Sequence, residues 1–296
     1  MIEPADEQAR TATGAGFVDA VTFAWGDPGA RLHGLARAAL SGDGKASALA
    51  LLFSGGEPAG ALARGDVEVG ADADFAELAL PGLRTSVQTP LRAWTAAFAG
   101  EAIGFDLAFE ALGAPVGIDP AEPVAQLGGM SGYEHLCRVQ GTVRAGGAEH
   151  DIHCFGGRSH LWGVPDWERI GAARTVSAWL DDGTGIALSA VSPAGARGHD
   201  QDARWAALLD PAGSVHVADP RLSTTYDGDG RQRRAGLELW VGGEDDHPRR
   251  AAGEALAGST LELGPLRLDA AVFTWHAHGR RGVGRYDILR PAEASR

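Results

Sequence analysis

The sequence predicts an all-β protein built from antiparallel strands, and three observations support this. Apolar and polar residues alternate with a period of two along the chain, whereas apolar spacings typical of helices are hard to find. Turn sequences recur at roughly ten residues per strand, the spacing of antiparallel barrels or sandwiches. With 296 residues, 44% of them hydrophobic, the chain is long enough for two domains with substantial cores.

The alternation is clearest on either side of a Gly100-Glu101 turn. Apolar side chains share one face before the turn and one face after it, and these are Trp94, Ala96 and Phe98, then Ile103, Phe105, Leu107 and Phe109. This pattern predicts a hairpin. Further hairpins are predicted around turn sequences at residues 41–44, 181–184 and 210–213, each flanked by apolar runs.

Residues 113–129 interrupt the alternation and contain Pro115, Pro120 and Pro123. A segment of this composition is the best candidate for a linker. We therefore place the domain boundary near residue 130, which predicts an N-terminal β-barrel over residues 1–130 and a C-terminal β-barrel over residues 131–296.

The charge balance argues against nucleic acid as a partner. The chain carries 26 Lys and Arg against 39 Asp and Glu, a formal net charge of −13 that would repel phosphate backbones and anionic membrane surfaces. The sequence lacks a run of about 18 apolar residues, and its first ten residues are acidic where a secretory signal would be basic. We expect a cytoplasmic protein with no transmembrane segment; the sequence leaves its oligomeric state open.

The two cysteines, Cys137 and Cys154, fall in one predicted hairpin that turns at residues 145–148. Alternation along both strands directs the two thiols toward the core. A two-residue turn at Gly146-Gly147 sets Cys154 opposite Val139 and leaves Cys137 diagonal to it, too far for an easy disulfide. We predict two reduced, buried thiols.

The densest group of chemically capable side chains lies at residues 150–167, where three histidines, an arginine, two acids and two tryptophans occur together. Glycines at positions 156, 157 and 163 permit bends that could project residues 158–162 into one cavity. In an extended segment Arg158, His160 and Trp162 share a face. An imidazole beside an indole can donate a proton and stabilise a developing carbocation through the ring face.

A structural interpretation of this group competes with the catalytic one. Arg158 and Asp166 could form a buried ion pair, while Trp162 and Trp167 close a barrel end as core residues.

A second group, Trp275-His276-Ala277-His278, places two imidazoles on one face of a strand, as some β-barrel metal sites do. The neighbourhood supplies no third ligand. We therefore predict exposed strand histidines and no metal site.

The run GGRSHLWG at residues 156–163, followed by Asp166-Trp167, resembles the G-x-R-D-H-S-W-G-x-R-x-W signature of the carotenoid 1,2-hydratase (hydroxyneurosporene synthase) and AttH-like lipocalin superfamily. Tyr133-Glu134, residues 141–143 and the glycine-rich residues 279–286 are similar to other parts of that family's C-terminal barrel. The resemblance spans residues 131–290. The N-terminal half matches only in its general β pattern.

The resemblance implies two lipocalin-like barrels packed together, a ligand pocket in or between them and no obligatory cofactor. It implies a terpenoid, lipid-like or polyketide substrate, and hydration or cyclisation as the reaction. The His-x-Trp pair of the family's proposed active site corresponds to His160 and Trp162, beside Arg158. Ser159 stands where the family commonly has Asp, which removes one proton-transfer group from the motif.

Three hypotheses of function follow. The first is a cofactor-independent enzyme that hydrates, dehydrates, isomerises or cyclises a hydrophobic polyene, terpenoid or polyketide; the second is a non-catalytic carrier of such a molecule. The third is a cupin-like metalloenzyme using His276 and His278. For the first two we expect four aromatic side chains to contact the hydrophobic ligand, namely Tyr133, Trp167, Trp179 and Trp275. The glycine runs lack the strand-to-helix context of a nucleotide loop, and no Gly-x-Ser-x-Gly element is present.

Overall fold

The computed structural model describes residues 2–10, 14–101, 103–242 and 247–292. It confirms the prediction of an all-β protein, because strands make up 67% of it and helices 5%. The strands form two antiparallel sheets, one nearly closed into a barrel and the other a half-barrel. Among the described residues, no helix is long and apolar enough to cross a membrane.

The chain divides into two compact units, and each is made of two segments. Unit 1 comprises Met1–Gly117 and Met130–Val164, and unit 2 comprises Ile118–Gly129 and Pro165–Arg296. This differs from the predicted division at residue 130, because the hairpin of residues 130–163 pairs with the N-terminal strands and completes their sheet.

Within the described residues, the sheet of unit 1 contains eleven strands. They are β1 (Val18–Asp27), β2 (Leu32–Ser41), β3 (Lys45–Ser54), β4 (Glu57–Glu68), β5 (Glu77–Leu80), β6 (Leu83–Thr89), β7 (Ala93–Ala99), β8 (Gly104–Ala111), β9 (Val116–Ile118), β10 (Met130–Ala145) and β11 (Ala148–Gly163). Their order is β4-β3-β2-β1-β11-β10-β8-β7-β6-β5, with β9 against β10. Inward-facing apolar residues of these strands form its core, including Phe23, Trp25, Trp94, Phe105 and Phe109.

In the part of unit 2 that the structure describes, the sheet contains nine strands. They are β12 (Ile170–Leu180), β13 (Gly185–Pro193), β14 (Ala203–Leu209), β15 (Val215–His216), β16 (Asp219–Tyr226), β17 (Gln232–Trp240), β18 (Arg249–Leu263), β19 (Leu266–Ala277) and β20 (Arg280–Pro291). Its edge strands β15 and β16 are consecutive in the chain. Val217 N–H donates to Ala206 O and Ala218 N–H donates to Trp240 O, so this segment connects the two edges.

Residues 113–129, predicted to be a linker, contain ordered structure. Besides β9, they form helix α1 (Pro123–Gly128), which belongs to unit 2. Pro123 lies in the first turn of the helix, where a backbone N–H would have no acceptor within the helix. The absence of this N–H therefore costs no helical hydrogen bond. The helix ends at Gly129, whose φ of 67° is the left-handed conformation that favours glycine.

The predicted hairpins are confirmed. The turn sequences at residues 41–44, 100–101, 181–184 and 210–213 join β2 to β3, β7 to β8, β12 to β13 and β14 to β15. In the glycine-rich strand β20, Gly284 lies against the backbone of β12, where a Cβ atom would fall 1.8 Å from Ser177 O. A side chain at this position would therefore force the two strands apart.

The cysteine hairpin has the predicted register, with Cys154 opposite Val139 and Cys137 opposite Gly156. Both thiols are free, as predicted. Cys137 is fully buried, whereas Cys154 is only partly buried at the edge of the core, which corrects the prediction that both are buried.

We expect both thiols to react slowly with Ellman's reagent in the native protein, and Cys154 to react before Cys137. Burial raises the pKa of Cys154 to about 12 and raises that of Cys137 as well, so little reactive thiolate exists near pH 8. The measurement is the labelling rate of single Cys→Ala variants with and without denaturant. Fast native labelling of Cys137 would contradict this assignment.

Candidate functional site

The motif of residues 156–163 lies within one continuous strand, β11. The prediction that its glycines bend the chain is therefore wrong. Gly156 instead permits close approach of the neighbouring strand, because a Cβ atom there would lie 2.4 Å from the backbone oxygen of Ala24 on β1. The extended, paired backbone places Arg158, His160 and Trp162 on one face through simple alternation.

Pairing on both sides of β11 brings partners to these side chains. His160 is opposite Tyr133 on β10 and opposite Val21 on β1. Arg158 is opposite His135 on β10. Asp19 of β1 lies two residues before Val21 and on the same face of the strand, so it is diagonal to His160.

His160 is fully buried and engaged at both ring nitrogens. Its Nε2 lies 2.7 Å from Oδ1 of Asp19, and its Nδ1 lies 3.1 Å from the hydroxyl oxygen of Tyr133. Because an ionised carboxylate can only accept, Nε2–H donates to Asp19. In the neutral ring Nδ1 then accepts the single proton of the Tyr133 hydroxyl, for which Asp6 O at 3.3 Å is the competing acceptor. Asp19, His160 and Tyr133 thus form a relay.

Arg158 extends this relay to a buried ion pair. Its Nη1 donates to the Tyr133 hydroxyl oxygen at 3.2 Å, and its two terminal nitrogens bind the Glu7 carboxylate at 3.0 and 2.6 Å. Both members of the pair are almost completely buried. Burial raises the pKa of Tyr133, so the phenol keeps its proton at neutral pH. We call these five residues, Glu7, Asp19, Tyr133, Arg158 and His160, the polar network.

The N-terminal segment, residues 2–10, covers the polar network. It contains a 3-10 helix, Pro4–Glu7, and contributes both Glu7 and backbone contacts. Tyr133 Oη lies 3.3 Å from Asp6 O, and the Arg10 N–H donates to Asp19 Oδ2 at 2.6 Å. Ala9 N–H donates to Asp74 at 2.8 Å.

Trp162 lies at the rim of the network and is partly exposed. Its ring meets His160 edge-on with the centroids 5.2 Å apart. The guanidinium of Arg10 lies 4.0 Å from the Trp162 centroid. One face of the indole is therefore occupied by a cation already, which argues against a carbocation-stabilising role in this conformation.

His135 is the neighbour of the network that lacks hydrogen bonds. It packs between Trp94 and Tyr133, with ring centroids at 4.8 and 5.5 Å. Neither of its ring nitrogens has a hydrogen-bonding partner among the described residues. Burial, helped by the nearby charge of Arg158 and opposed more weakly by a polar contact with the backbone of Leu91, lowers the pKa of His135 to about 3, so the ring is neutral.

The structure brings together four of the seven predicted site residues, namely Arg158, His160, Trp162 and Tyr133. The other three belong to unit 2. Trp275 stacks on Phe273 within the core of unit 2, with centroids 5.6 Å apart. Trp179 lies on the face of β12 opposite to core residues, and Trp167 lies in the turn before β12.

Two expectations about the motif are corrected. Arg158 pairs with Glu7 and not with Asp166, which is exposed and accepts from the backbone N–H of Glu168 in a turn. Ser159 points to the face of β11 opposite to His160, so the absence of the family's Asp leaves the polar network unchanged.

His276 and His278 are exposed near the turn between β19 and β20. The part of the chain that the structure describes contains no group of three or more His, Cys, Asp or Glu side chains arranged to hold a metal.

Two clefts lie elsewhere in unit 1. One of about 570 Å³ is lined by Leu62, Phe98 and Ile103, and one of about 410 Å³ is lined by Leu80, Phe98 and Phe105 among others. Neither is lined by a residue of the polar network.

Sequence reasoning missed Glu7, Asp19 and His135. Asp19 left a signal, because it shares the otherwise apolar face of β1 with Val21 and Phe23. A carboxylate on such a face calls for a buried partner. Glu7 left none, since an acid in a polar N-terminal stretch is ordinarily solvated.

We expect Glu7→Gln to lower the free energy of unfolding by about 3–5 kcal/mol, because it leaves the Arg158 charge buried without its counter-ion. Urea unfolding measures the change. The exposed pair Arg234–Glu254 provides the control, and Glu254→Gln should have no measurable effect. A Glu7→Leu/Arg158→Met double variant should be more stable than Glu7→Gln. A less stable double variant would contradict the explanation that the loss in Glu7→Gln comes from the desolvated, unpaired charge of Arg158.

Stability should also fall as the pH decreases from 7 to 5. The folded-state pKa values of His135 and His33, about 3 and about 4, lie below the unfolded value of about 6.5. The unfolded chain therefore binds more protons in this range, and the two histidines make their full contribution to the free energy of unfolding only above pH 6.5. Each group contributes up to about 1.4 kcal/mol per pH unit. His135→Phe and His33→Phe should each reduce the slope of unfolding free energy against pH; an unchanged slope would refute the assignment.

Solved structures with little sequence identity share this fold. CghA with Sch210972 aligns with a TM-score of 0.68 and 14% identity over 95% of this chain and 90% of that chain. A second CghA structure gives 0.65 and 13% over 95% and 90%. A putative AttH from Nitrosomonas europaea gives 0.67 and 12% over 93% and 92%. The AttH likeness agrees with the superfamily resemblance at the level of the fold.

No curated protein sequence matches the chain significantly. Residues 3–292 match the profile of the family described as Domain of unknown function (DUF7064). This match spans nearly the whole sequence, and the chain is therefore a member of the DUF7064 family.

Proposed function

We propose that this protein is a cofactor-independent enzyme that acts on a hydrophobic polyene, terpenoid or polyketide within unit 1. The reaction is a hydration or dehydration, an isomerisation or a cyclisation. The observation that carries the proposal is the buried Asp19–His160–Tyr133 relay next to Arg158. In this relay an acid–base pair, Asp19 and His160, is hydrogen-bonded to a phenol in an aromatic environment.

In the proposed mechanism Tyr133 is the group that exchanges a proton with the substrate. Its hydroxyl is protonated at neutral pH and shares hydrogen bonds with His160 and Arg158. When His160 Nδ1 accepts the Tyr133 proton, Asp19 stabilises the resulting imidazolium through Nε2–H, and the phenolate takes a proton from one atom of the substrate and returns it to another. This chain of acid–base groups needs no cofactor.

The charge around Tyr133 favours reactions that develop negative charge on a substrate oxygen. The guanidinium of Arg158 lies 5.4 Å from the Tyr133 ring centroid and donates to its oxygen. Glu7 balances the charge of this guanidinium, but the oriented N–H group of Arg158 can still donate to an enolate or a polarised carbonyl, whereas it offers nothing to a carbocation. Isomerisation or cyclisation of a carbonyl-conjugated polyene therefore fits this site better than protonation of a simple alkene.

The substrate class rests on the family resemblance and on the aromatic surroundings of the network. Phe75, Trp94 and Trp162 contact its members through their rings. Trp167, Trp179 and Trp275, which the sequence suggested as ligand contacts, belong to unit 2 and are not part of this proposal. CghA, whose fold is similar, was solved with Sch210972.

The alternative function is a carrier that binds the same class of ligand without chemistry. The observation in its favour is the complete burial of His160 and Tyr133 with their polar atoms engaged. In a carrier, the role of such a network would be purely structural: it would hold the N-terminal segment in place.

Turnover assays with conjugated polyenes and linear terpenoids as substrates distinguish the enzyme from the carrier. Products are separated by chromatography and their molecular masses are determined by mass spectrometry, because hydration adds one water while isomerisation and cyclisation leave the mass unchanged. We expect His160→Gln and Tyr133→Phe to lower turnover by about 10²- to 10⁴-fold. Trp162→Phe should weaken turnover or ligand affinity by more than it lowers the melting temperature.

Matched controls are His153→Gln, an exposed histidine on the outer face of β11, and Trp205→Phe, a buried tryptophan of unit 2. Both should keep parental turnover. Normal binding by all variants with no product from the parent would establish the carrier. Folded His160→Gln and Tyr133→Phe variants with parental turnover would place the chemistry elsewhere.

A further inference from the structure

The carboxylate of Glu7 is held by four hydrogen-bond donors. Oε1 accepts from Arg158 Nη1 at 3.0 Å and from the backbone N–H of Leu91 at 3.2 Å. Oε2 accepts from Arg158 Nη2 at 2.6 Å and from the indole Nε1–H of Trp94 at 3.2 Å. A bidentate guanidinium supplemented by two N–H groups is a complete receptor for one carboxylate.

The donors and the acceptor differ in how firmly they are held. Arg158 and Trp94 project from paired strands, β11 and β7, and Leu91 lies in the turn that precedes β7. Glu7 lies in a four-residue 3-10 helix outside the sheet, and it is the one buried residue among residues 2–10. The receptor is therefore built by the sheet, and a short surface segment supplies its occupant.

The surroundings of the receptor suit an amphipathic ligand. The guanidinium lies 4.8 Å from the Trp94 ring centroid and 5.4 Å from that of Tyr133. His135 packs against both rings, and its two ring nitrogens have no hydrogen-bonding partner among the described residues. The backbone of Leu91 is the one uncharged polar group that acts on this buried imidazole, so the ring offers a polar contact beside the ion pair that Glu7 does not use.

We propose that Arg158, Trp94 and Leu91 form a binding site for the carboxylate of a hydrophobic ligand, and that Glu7 occupies this site in the absence of ligand. This inference rests on the proposed function and narrows its substrate class to molecules that carry an acidic group. Exchange of one carboxylate for another keeps the Arg158 charge paired, so displacement avoids the large desolvation penalty of an unpaired guanidinium.

Displacement of Glu7 also has a consequence for the relay. The same N-terminal segment lies over Tyr133 through Asp6 O and over Trp162 through Arg10. Release of Glu7 would free this segment and expose the Tyr133 hydroxyl to the apolar part of the same ligand. Binding of the acid would thus open the proton-transfer site.

Glu7 competes as a tethered ligand, so its removal should strengthen binding of an external carboxylate. The probes are decanoate and decanol, which have the same alkyl chain and differ in the charged head group. Isothermal titration calorimetry at pH 7.5 compares the parent with Glu7→Gln, Arg158→Lys and Arg158→Met. The exposed Glu110 of β8 gives a control, Glu110→Gln, with the same charge change.

We expect the parent to prefer decanoate to decanol, and Glu7→Gln to bind decanoate about 10- to 100-fold more tightly than the parent. Arg158→Lys, which keeps the charge without the bidentate fork, should lose about tenfold. Arg158→Met should lose the preference, and Glu110→Gln should match the parent. In the parent, the Trp94 indole N–H resonance should shift with decanoate and not with decanol, which tests the site without a variant.

Equal binding of decanoate and decanol by Glu7→Gln would overturn the carboxylate site while leaving a hydrophobic ligand, and hence the proposed function, in place. An unmoved Trp94 resonance at saturating decanoate would overturn it as well. Failure of the proposed function has a different signature, since it is absence of product from the polyene panel in a parent whose Trp94 resonance responds to decanoate.

Discussion

Pairing of β11 with β1 on one side and β10 on the other fixes the geometry of the polar network. Because successive side chains of a strand point to opposite faces, this double pairing places Tyr133, His135, Arg158 and His160 in adjacent rows on one face. Asp19 joins the same face from β1. A slip of one residue in either ladder would turn these groups to the opposite face and leave buried charges without partners.

The sequence supports the fold class and the local geometry of the motif, because both depend on alternation within short segments. The common face of Arg158, His160 and Trp162 could be predicted for that reason. The ion pair of Arg158 with Glu7 joins residues 151 positions apart and depends on how an irregular segment crosses the sheet. Periodicity carries no information about such a contact, and the structural alternative that paired Arg158 with Asp166 is wrong.

Glycine was the least informative residue in advance. The glycines of residues 156–163 suggest bends, yet Gly156 lies in a straight strand and makes room for backbone of β1. Prolines were similarly ambiguous, since Pro123 begins α1 inside a stretch that lacked a strand pattern. In both cases the residue restricts what a backbone can do locally, while its use is decided by a neighbour distant in sequence.

The two-segment composition of unit 1 has a consequence for how the chain is made. Synthesis passes through Ile118–Gly129, which belongs to unit 2, before β10 and β11 emerge to join β8 and β1. Until residue 163 has left the ribosome, β1 and β8 remain open edges with unpaired backbone groups, the usual template for misassociation. Nascent chains that pause in this interval would depend on chaperones more than chains stalled later.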